Sequence, residues 1–148
     1  MAARLESQLG GLADVRVGIL GLGFRPDVKE HICSPTFLLE AALRARGADV
    51  RVHDPLFSDE ELRGHGFEPW GPERAEWRPE TLVLATGHTA FRELDLAVMR
   101  DEGLGTVLDG RRFWTPEAIA ALGLSYIATG RADPAPTGAP EPLATAAE

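Results

Sequence analysis

The chain has 148 residues, 44% of them hydrophobic and 26% charged, which suits one globular domain with a real core and leaves little room for a second. Its formal net charge of -8 argues against a general binder of nucleic-acid backbones, because that affinity needs a surplus of Lys and Arg to displace counterions. A small anionic ligand is still compatible with this balance, since one or two well-placed Arg side chains hold one locally.

The cations are 14 Arg and a single Lys, Lys29, a bias that reads as GC-rich codon usage before it reads as chemistry. Cys33 is the only cysteine, so no intramolecular disulfide forms and a reducing, cytoplasmic setting is the expectation. No apolar h-region follows Met1, and no apolar run approaches the roughly 20 residues of a membrane span. The expectation is a soluble protein without membrane contact.

In chain order, residues 1–14 predict a short helix around Leu5 and Leu9, broken at Gly10 and Gly11, as a lead-in to a domain body at 15–131. The run VRVGIL at 15–20 is β-branched and apolar and stops at Gly21 and Gly23, as a buried strand followed by a tight turn does. Ser34 and Pro35 supply an N-cap and a first-turn proline for a helix in which Phe37, Leu38, Ala41, Ala42 and Ala45 recur at helical spacing until Gly47. Residues 48–53 alternate and end at Asp54 and Pro55, giving a second strand and a βαβ unit.

Ser58 opens a helix, and residues 67–79, with three prolines and two tryptophans, predict an irregular connection. A third strand at 81–86 ends at Gly87 and His88, and residues 91–100 form one amphipathic segment. A fourth strand at 106–108 ends at Asp109 and Gly110, Thr115 and Pro116 open a helix, and a fifth strand covers 124–128. The alternation predicts an α/β fold: a Rossmann-like, doubly wound parallel sheet of about five strands in a single domain. Residues 132–148, with four prolines among Ala, Thr and Glu, predict a disordered tail.

Such sheets bind ligands beyond the carboxyl ends of their strands. The candidate site is therefore read from the residues that follow each strand. Gly21 and Gly23 belong to a partial dinucleotide fingerprint whose third glycine position is Pro26, and their backbone N–H groups are of the kind that approach a phosphate. Asp54 stands where dinucleotide folds place a ribose-binding carboxylate, although a turn-forming Asp-Pro explains it equally. Thr86 and His88 follow the third strand. Arg111 and Arg112 follow the fourth, where either suits a bidentate clamp on a pyrophosphate, although adjacent arginines are more often solvated.

Five runs occur in order: VGILGLGFRPD at 17–27, Ser34-Pro35, VHDP at 52–55, VLAT at 83–86 with FRELD at 91–95, and DGRR at 109–112. Together they resemble the C-terminal, UDP-binding domain of the UDP-glucose, UDP-N-acetylmannosamine and GDP-mannose dehydrogenases, over residues 15–131. The resemblance implies a lobe that grips the nucleotide half of a nucleotide sugar. It places Phe24 and Arg25 on the family's Phe-Lys pair at the substrate edge, and Arg111 on the arginine that reaches substrate phosphate or carboxylate. Gly21, Gly23, Phe24, Arg25, Asp54, Thr86, His88 and Arg111 are thus the expected nucleotide-binding residues.

Departures limit what carries over. Where the family has an Arg-Glu dipeptide whose arginine helps hold the NAD pyrophosphate, this chain has Ile32 and Cys33, and an aliphatic side chain supplies no charge-assisted bond. No bound cofactor is expected, and NAD is doubtful. The family's NAD-binding lobe, dimerising helix and catalytic cysteine and lysine match nothing here, so the expected function is to bind UDP or a UDP-sugar without dehydrogenase activity. A separate protein supplying the catalytic lobe is the implied partner. One alternative is a small enzyme of specialised metabolism that uses Lys29, His31, Cys33 and His88 on a uridine nucleotide. Another is an assembly partner with a non-functional pocket. His31 and Cys33 lack two further ligands at recognisable spacing, so no metal site is expected.

Overall fold

The computed structural model describes residues 1–128. Their elements run α1 (Ala2–Leu9), β1 (Arg16–Leu20), α2 (Thr36–Ala45), β2 (Asp49–His53), α3 (Asp59–Gly64), β3 (Thr81–Leu84), a 3-10 turn (Thr89–Glu93), α4 (Leu96–Asp101), β4 (Thr106–Asp109), α5 (Pro116–Ala121) and β5 (Ser125–Ala128). All four strand pairs are parallel, in the order β2-β1-β3-β4-β5. The chain starts at β1, moves outward to β2 and returns past β1 to β3. This makes the β1/β3 junction the topological switch point, where the loops at the carboxyl ends diverge. The predicted tail at 132–148 lies outside the described residues.

Strand alternation sends side chains to two faces, and each face has its own core. Val17, Ile19, Val50, Val52, Val83, Leu108 and Ile127 pack with Leu5, Leu43 and Leu62 of α1, α2 and α3. Leu20, Leu82, Leu84 and Val107 pack on the other side with Leu96, Met99 and Ile119 of α4 and α5. The helix α1 ends on a left-handed Gly10, and its Leu5 and the following Leu12 are buried. The lead-in segment is therefore part of the first core.

Two predicted elements differ in detail. The segment 91–100 is two elements, because Asp95 leaves the 3-10 path and its carboxylate accepts the Val98 N–H at 3.1 Å to start α4. Helix α2 is counted from Thr36, with Ser34 Oγ accepting the Thr36 N–H at 3.2 Å. Its inward face is Thr36, Glu40 and Leu43, and Leu38, one of the residues at helical spacing, is 80% exposed. By contrast α3 starts as read, with a reciprocal Ser58–Glu61 capping box.

The irregular stretch after α3 crosses to the second face and carries Trp70 and Trp77 beneath β1. Arg74 fixes it by a bidentate pair to Asp59 at 2.8 and 3.0 Å, and Trp77 Nε1 donates to Asp49 at 2.9 Å. Gly18 makes the space. A Cβ there would lie 2.7 and 2.9 Å from Trp70 ring atoms, inside any normal contact, so a side chain at the centre of β1 and the Trp70 indole exclude one another.

The carboxyl ends of β1, β2 and β3 are tied by one side chain. Asp54, just past β2 and 1% exposed, accepts the N–H groups of Leu22 at 2.8 Å and Gly23 at 3.0 Å on Oδ2. The same oxygen lies 2.8 Å from His88 Nε2, and Oδ1 accepts the Leu56 N–H at 2.8 Å. Burial pushes the carboxyl upward, and the hydrogen bonds from His88, Leu56, Gly23 and Leu22 outweigh it, holding the group below the usual aspartate range.

Two stability predictions result. Gly18→Ala destabilises the fold by about 1–3 kcal/mol, read as a lower urea midpoint together with a shifted Trp fluorescence maximum. Asp54→Ala strands four donors in the interior and costs roughly 3–5 kcal/mol. Because the folded carboxyl lies below its ordinary value of about 3.9, its stabilisation is complete above about pH 4 and disappears as pH falls through the folded value. Stability of the wild type accordingly falls more steeply below that pH than stability of Asp54→Asn, measured by chemical denaturation across the acid range.

Candidate functional site

The strand ends divide the sequence-predicted residues into two groups. Gly21, Gly23, Asp54, Thr86 and His88 are all buried. Of the glycine-turn N–H donors read as phosphate ligands, that of Gly21 goes to the His53 carbonyl at 2.8 Å and that of Gly23, with its neighbour Leu22, to Asp54. Asp54 itself faces this turn, so a ribose cannot reach it. A Cβ on Gly21 would stand 2.6 Å from Thr86 Cβ, and the Thr86 hydroxyl donates to the Gly23 carbonyl. The switch-point crevice is thus filled by protein.

His88 joins this plug to the loop above it. Its Nδ1 accepts the Asp27 N–H at 2.8 Å, so the ring proton sits on Nε2 and is donated to Asp54. Asp27 in turn accepts the Thr89 N–H at 2.8 Å and hydroxyl at 2.6 Å. The Thr89 hydroxyl, then the Thr89 N–H, hold the Asp27 carboxyl below the usual range. Phe24, Arg25 and Pro26 lie between the two anchor points, Gly23 and Asp27.

The second group, Phe24, Arg25 and Arg111, does converge. With Pro26, Gly87, Arg92, Arg112 and Phe113 these residues line a cleft of 520 Å³ beyond the ends of β1, β3 and β4. Phe24 is 42% exposed. Arg25 pairs with Glu30 at 2.7 Å. Arg111 Nε donates to the Ala85 carbonyl at 2.9 Å. Arg92 Nη1 donates to the Phe113 carbonyl at 2.7 Å, with its guanidinium 3.7 Å from the Phe113 ring centroid. Asp109, fully buried, shapes the turn that carries Arg111 and Arg112 by accepting the N–H groups of Arg111 at 3.0 Å and Trp114 at 2.8 Å and the Tyr126 hydroxyl at 2.8 Å. Sequence reasoning did not single out Arg92 or Phe113 for this site. The usable signal was that Arg92 follows β3 on the same rim as the Asp-Gly-Arg turn.

The residues of the alternative enzyme have other partners. Lys29 pairs with Glu61 at 2.6 Å and holds that carboxyl down at about 2, with help from Ser58. His31 stacks on His65 with centroids 4.3 Å apart, Cys33 is exposed, and His88 belongs to the buried plug. Among the described residues no group of three or more His, Cys, Asp or Glu is placed to hold a metal ion. No helix among them is long and apolar enough to cross a membrane.

Residues 18–116 match the model of the UDP-glucose/GDP-mannose dehydrogenase family, UDP binding domain. The UDP-glucose 6-dehydrogenase of Pseudomonas aeruginosa is 30% identical over 128 residues, covering 78% of this chain and 27% of that protein. For the UDP-glucose 6-dehydrogenase YwqF of Bacillus subtilis the figures are 24% identity, 90% and 31%. Among solved structures, the UDP-glucose dehydrogenase of Pyrobaculum islandicum superposes with a TM-score of 0.63 at 27% identity, over 85% of this chain and 28% of that one. The NDP-N-acetyl-D-galactosaminuronic acid dehydrogenase of Methanosarcina mazei shares the fold, with a TM-score of 0.66. The chain spans about three-tenths of the length of these relatives. With the five ordered motifs and the matching parallel sheet, these similarities establish that the chain belongs to the UDP-binding domain of the UDP-glucose/GDP-mannose dehydrogenase family.

Proposed function

We propose that these residues hold UDP or a UDP-sugar in the cleft between Phe24, Arg25, Arg92, Arg111, Arg112 and Phe113. The reading is carried by the four guanidinium groups and two phenyl rings that line one cleft of 520 Å³, within the roughly 300–1,000 Å³ of small-molecule sites. Guanidinium forks match phosphate oxygens bidentately, and the rings offer apolar faces to a base. Gly21, Gly23, Asp54, Thr86 and His88 contribute by holding the cleft's floor and its loop, with no direct contact to the nucleotide.

NAD does not fit the same rim. Ile32, 67% exposed, brings no charge to the loop before α2, and the glycine-turn donors are engaged by the His53 carbonyl and by Asp54. Nucleotide binding is therefore the contribution of these 148 residues. Oxidation of a bound sugar belongs to groups outside them.

Calorimetry on the purified chain tests this directly. UDP binds, NAD added alone gives no heat, and Arg111→Ala weakens UDP binding by about tenfold or more, the worth of a charge-assisted hydrogen bond. If UDP also gave no heat, the cleft would be a relic and the assembly reading would take its place.

A further inference from the structure

A second hollow adjoins the arginine cleft. Met1, Ala2, Pro35, Leu38, Leu39 and Ala42 line 420 Å³ between the start of α1 and α2, a volume within the range of small-molecule sites. Among the described residues, Arg111 is the one that lines both this hollow and the cleft beyond β1, β3 and β4. Its Nε donates to the Ala85 carbonyl at 2.9 Å, and Ala85 belongs to the lining of the second hollow. The guanidinium is therefore fixed at the junction of two chambers.

The chambers differ in chemistry. The first is set with guanidinium groups and phenyl rings. In the second, the described side chains other than Arg111 are aliphatic or a thioether and offer no strong hydrogen-bond donor or acceptor. Leu38 is 80% exposed and Leu39 and Ala42 are half-buried, so α2 turns apolar surface outward along this hollow. At Gly110 a Cβ would lie 2.5 Å from Met1 Cε, so the missing side chain lets Met1 pack against the turn that carries Arg111. A sugar placed here would give up the hydration of its hydroxyls and find nothing in exchange. A hydrocarbon chain gains from the same transfer.

We propose that the ligand is amphiphilic: a uridine diphosphate whose second phosphate carries a group with an alkyl or acyl chain, the diphosphate on Arg111 and the chain along α2 in the second hollow. The proposal rests on the UDP reading above for its charged end. A tail on the ligand is favoured over a separate partner because Arg111 joins the two chambers. A diphosphate held there brings its own substituent to the hollow at high effective concentration.

The probes are the methyl and hexyl esters of UDP on its terminal phosphate, titrated by calorimetry into the full chain. They carry the same charge and differ only in methylene groups. The hexyl ester binds about tenfold tighter or more, with a more negative heat-capacity change, as burial of apolar surface requires. Ala42→Gln adds no charge beside Arg111 and reduces this advantage to about threefold or less, and Leu38→Gln, at an exposed position that the fold tolerates, lowers it at least about twofold. Both variants keep the wild-type affinity for the methyl ester, since neither residue lines the nucleotide cleft. Equal affinity of the wild type for the two esters would overturn the proposal and leave the UDP reading standing. An advantage undiminished in both variants overturns it as well, because the chain then lies outside this hollow. Hexyl diphosphate, which lacks uridine, separates the two readings: binding as tight as that of the hexyl ester of UDP keeps the apolar seat and removes the uridine reading, while no binding by any probe removes both.

Discussion

A parallel sheet leaves backbone N–H groups exposed wherever a strand turns sharply into a loop, and each must find an acceptor. At the end of β1 that acceptor is the Asp54 carboxylate. It takes Leu22 and Gly23 from the β1 turn and Leu56 from its own loop, and sits against His88 from the β3 loop. A buried carboxylate is tolerated only when such donors replace its lost hydration. The same four donors would each be stranded without it. The strand ends and the charge therefore stabilise one another, and neither is adjustable alone.

One consequence, on the proposed reading, is that ligand recognition moves from backbone to side chains. In a glycine-rich phosphate loop the anion is the acceptor; here the protein supplies its own, so a phosphate has no backbone seat at the switch point. The turn after β4 repeats the device, with Asp109 absorbing the N–H groups of Arg111 and Trp114. Two buried carboxylates thus complete two turns. Between them they set the loops from which Arg25, Arg111 and Arg112 reach one cleft, displaced from the switch point toward β4. The Asp27 contacts to His88 and Thr89 then transmit the position of the plug to Phe24 and Arg25.

The fold was legible because each element carries its own local cause. β-branched runs end at Gly21, Pro55, Gly87 and Gly110, and Ser58 and Thr115 cap their helices as their sequences require. Tertiary packing escaped the reading. Helical spacing rested on Phe37, Leu38, Ala41, Ala42 and Ala45, yet α2 buries Thr36, Glu40 and Leu43, with Glu40 paired to Arg44 and Thr36 donating to the Gly21 carbonyl at 2.7 Å. At the candidate site, residue type and position after a strand pointed to Arg25 and Arg111, which the structure brings to one cleft. The same rule could not distinguish Asp54 facing a ligand from Asp54 facing its own backbone, because both readings put a carboxylate after β2. Arg92 was obscured by an apparently continuous amphipathic helix, which Asp95 divides.

The sign of the site follows from how charge is distributed along the rim. Beyond β2 and β3 a separate hollow of 350 Å³ is lined by His53, Glu73, Glu93 and Asp95. Burial holds the His53 imidazole below the ordinary histidine range against the pull of Glu73 and Asp54, so His53 itself adds no positive charge to that hollow at neutral pH. The acidic hollow and the arginine cleft meet along the 3-10 turn, where Glu93 faces one and Arg92 the other. At physiological salt a charge is felt over about 8 Å, so an anion near the rim responds to these neighbours more than to the distributed charge of the chain. On the proposed reading it is repelled on one side of the turn and attracted on the other, a gradient that steers it to the arginines. An acidic protein can therefore present a strongly basic seat, provided that its acids stand across a structural divide from its ligand.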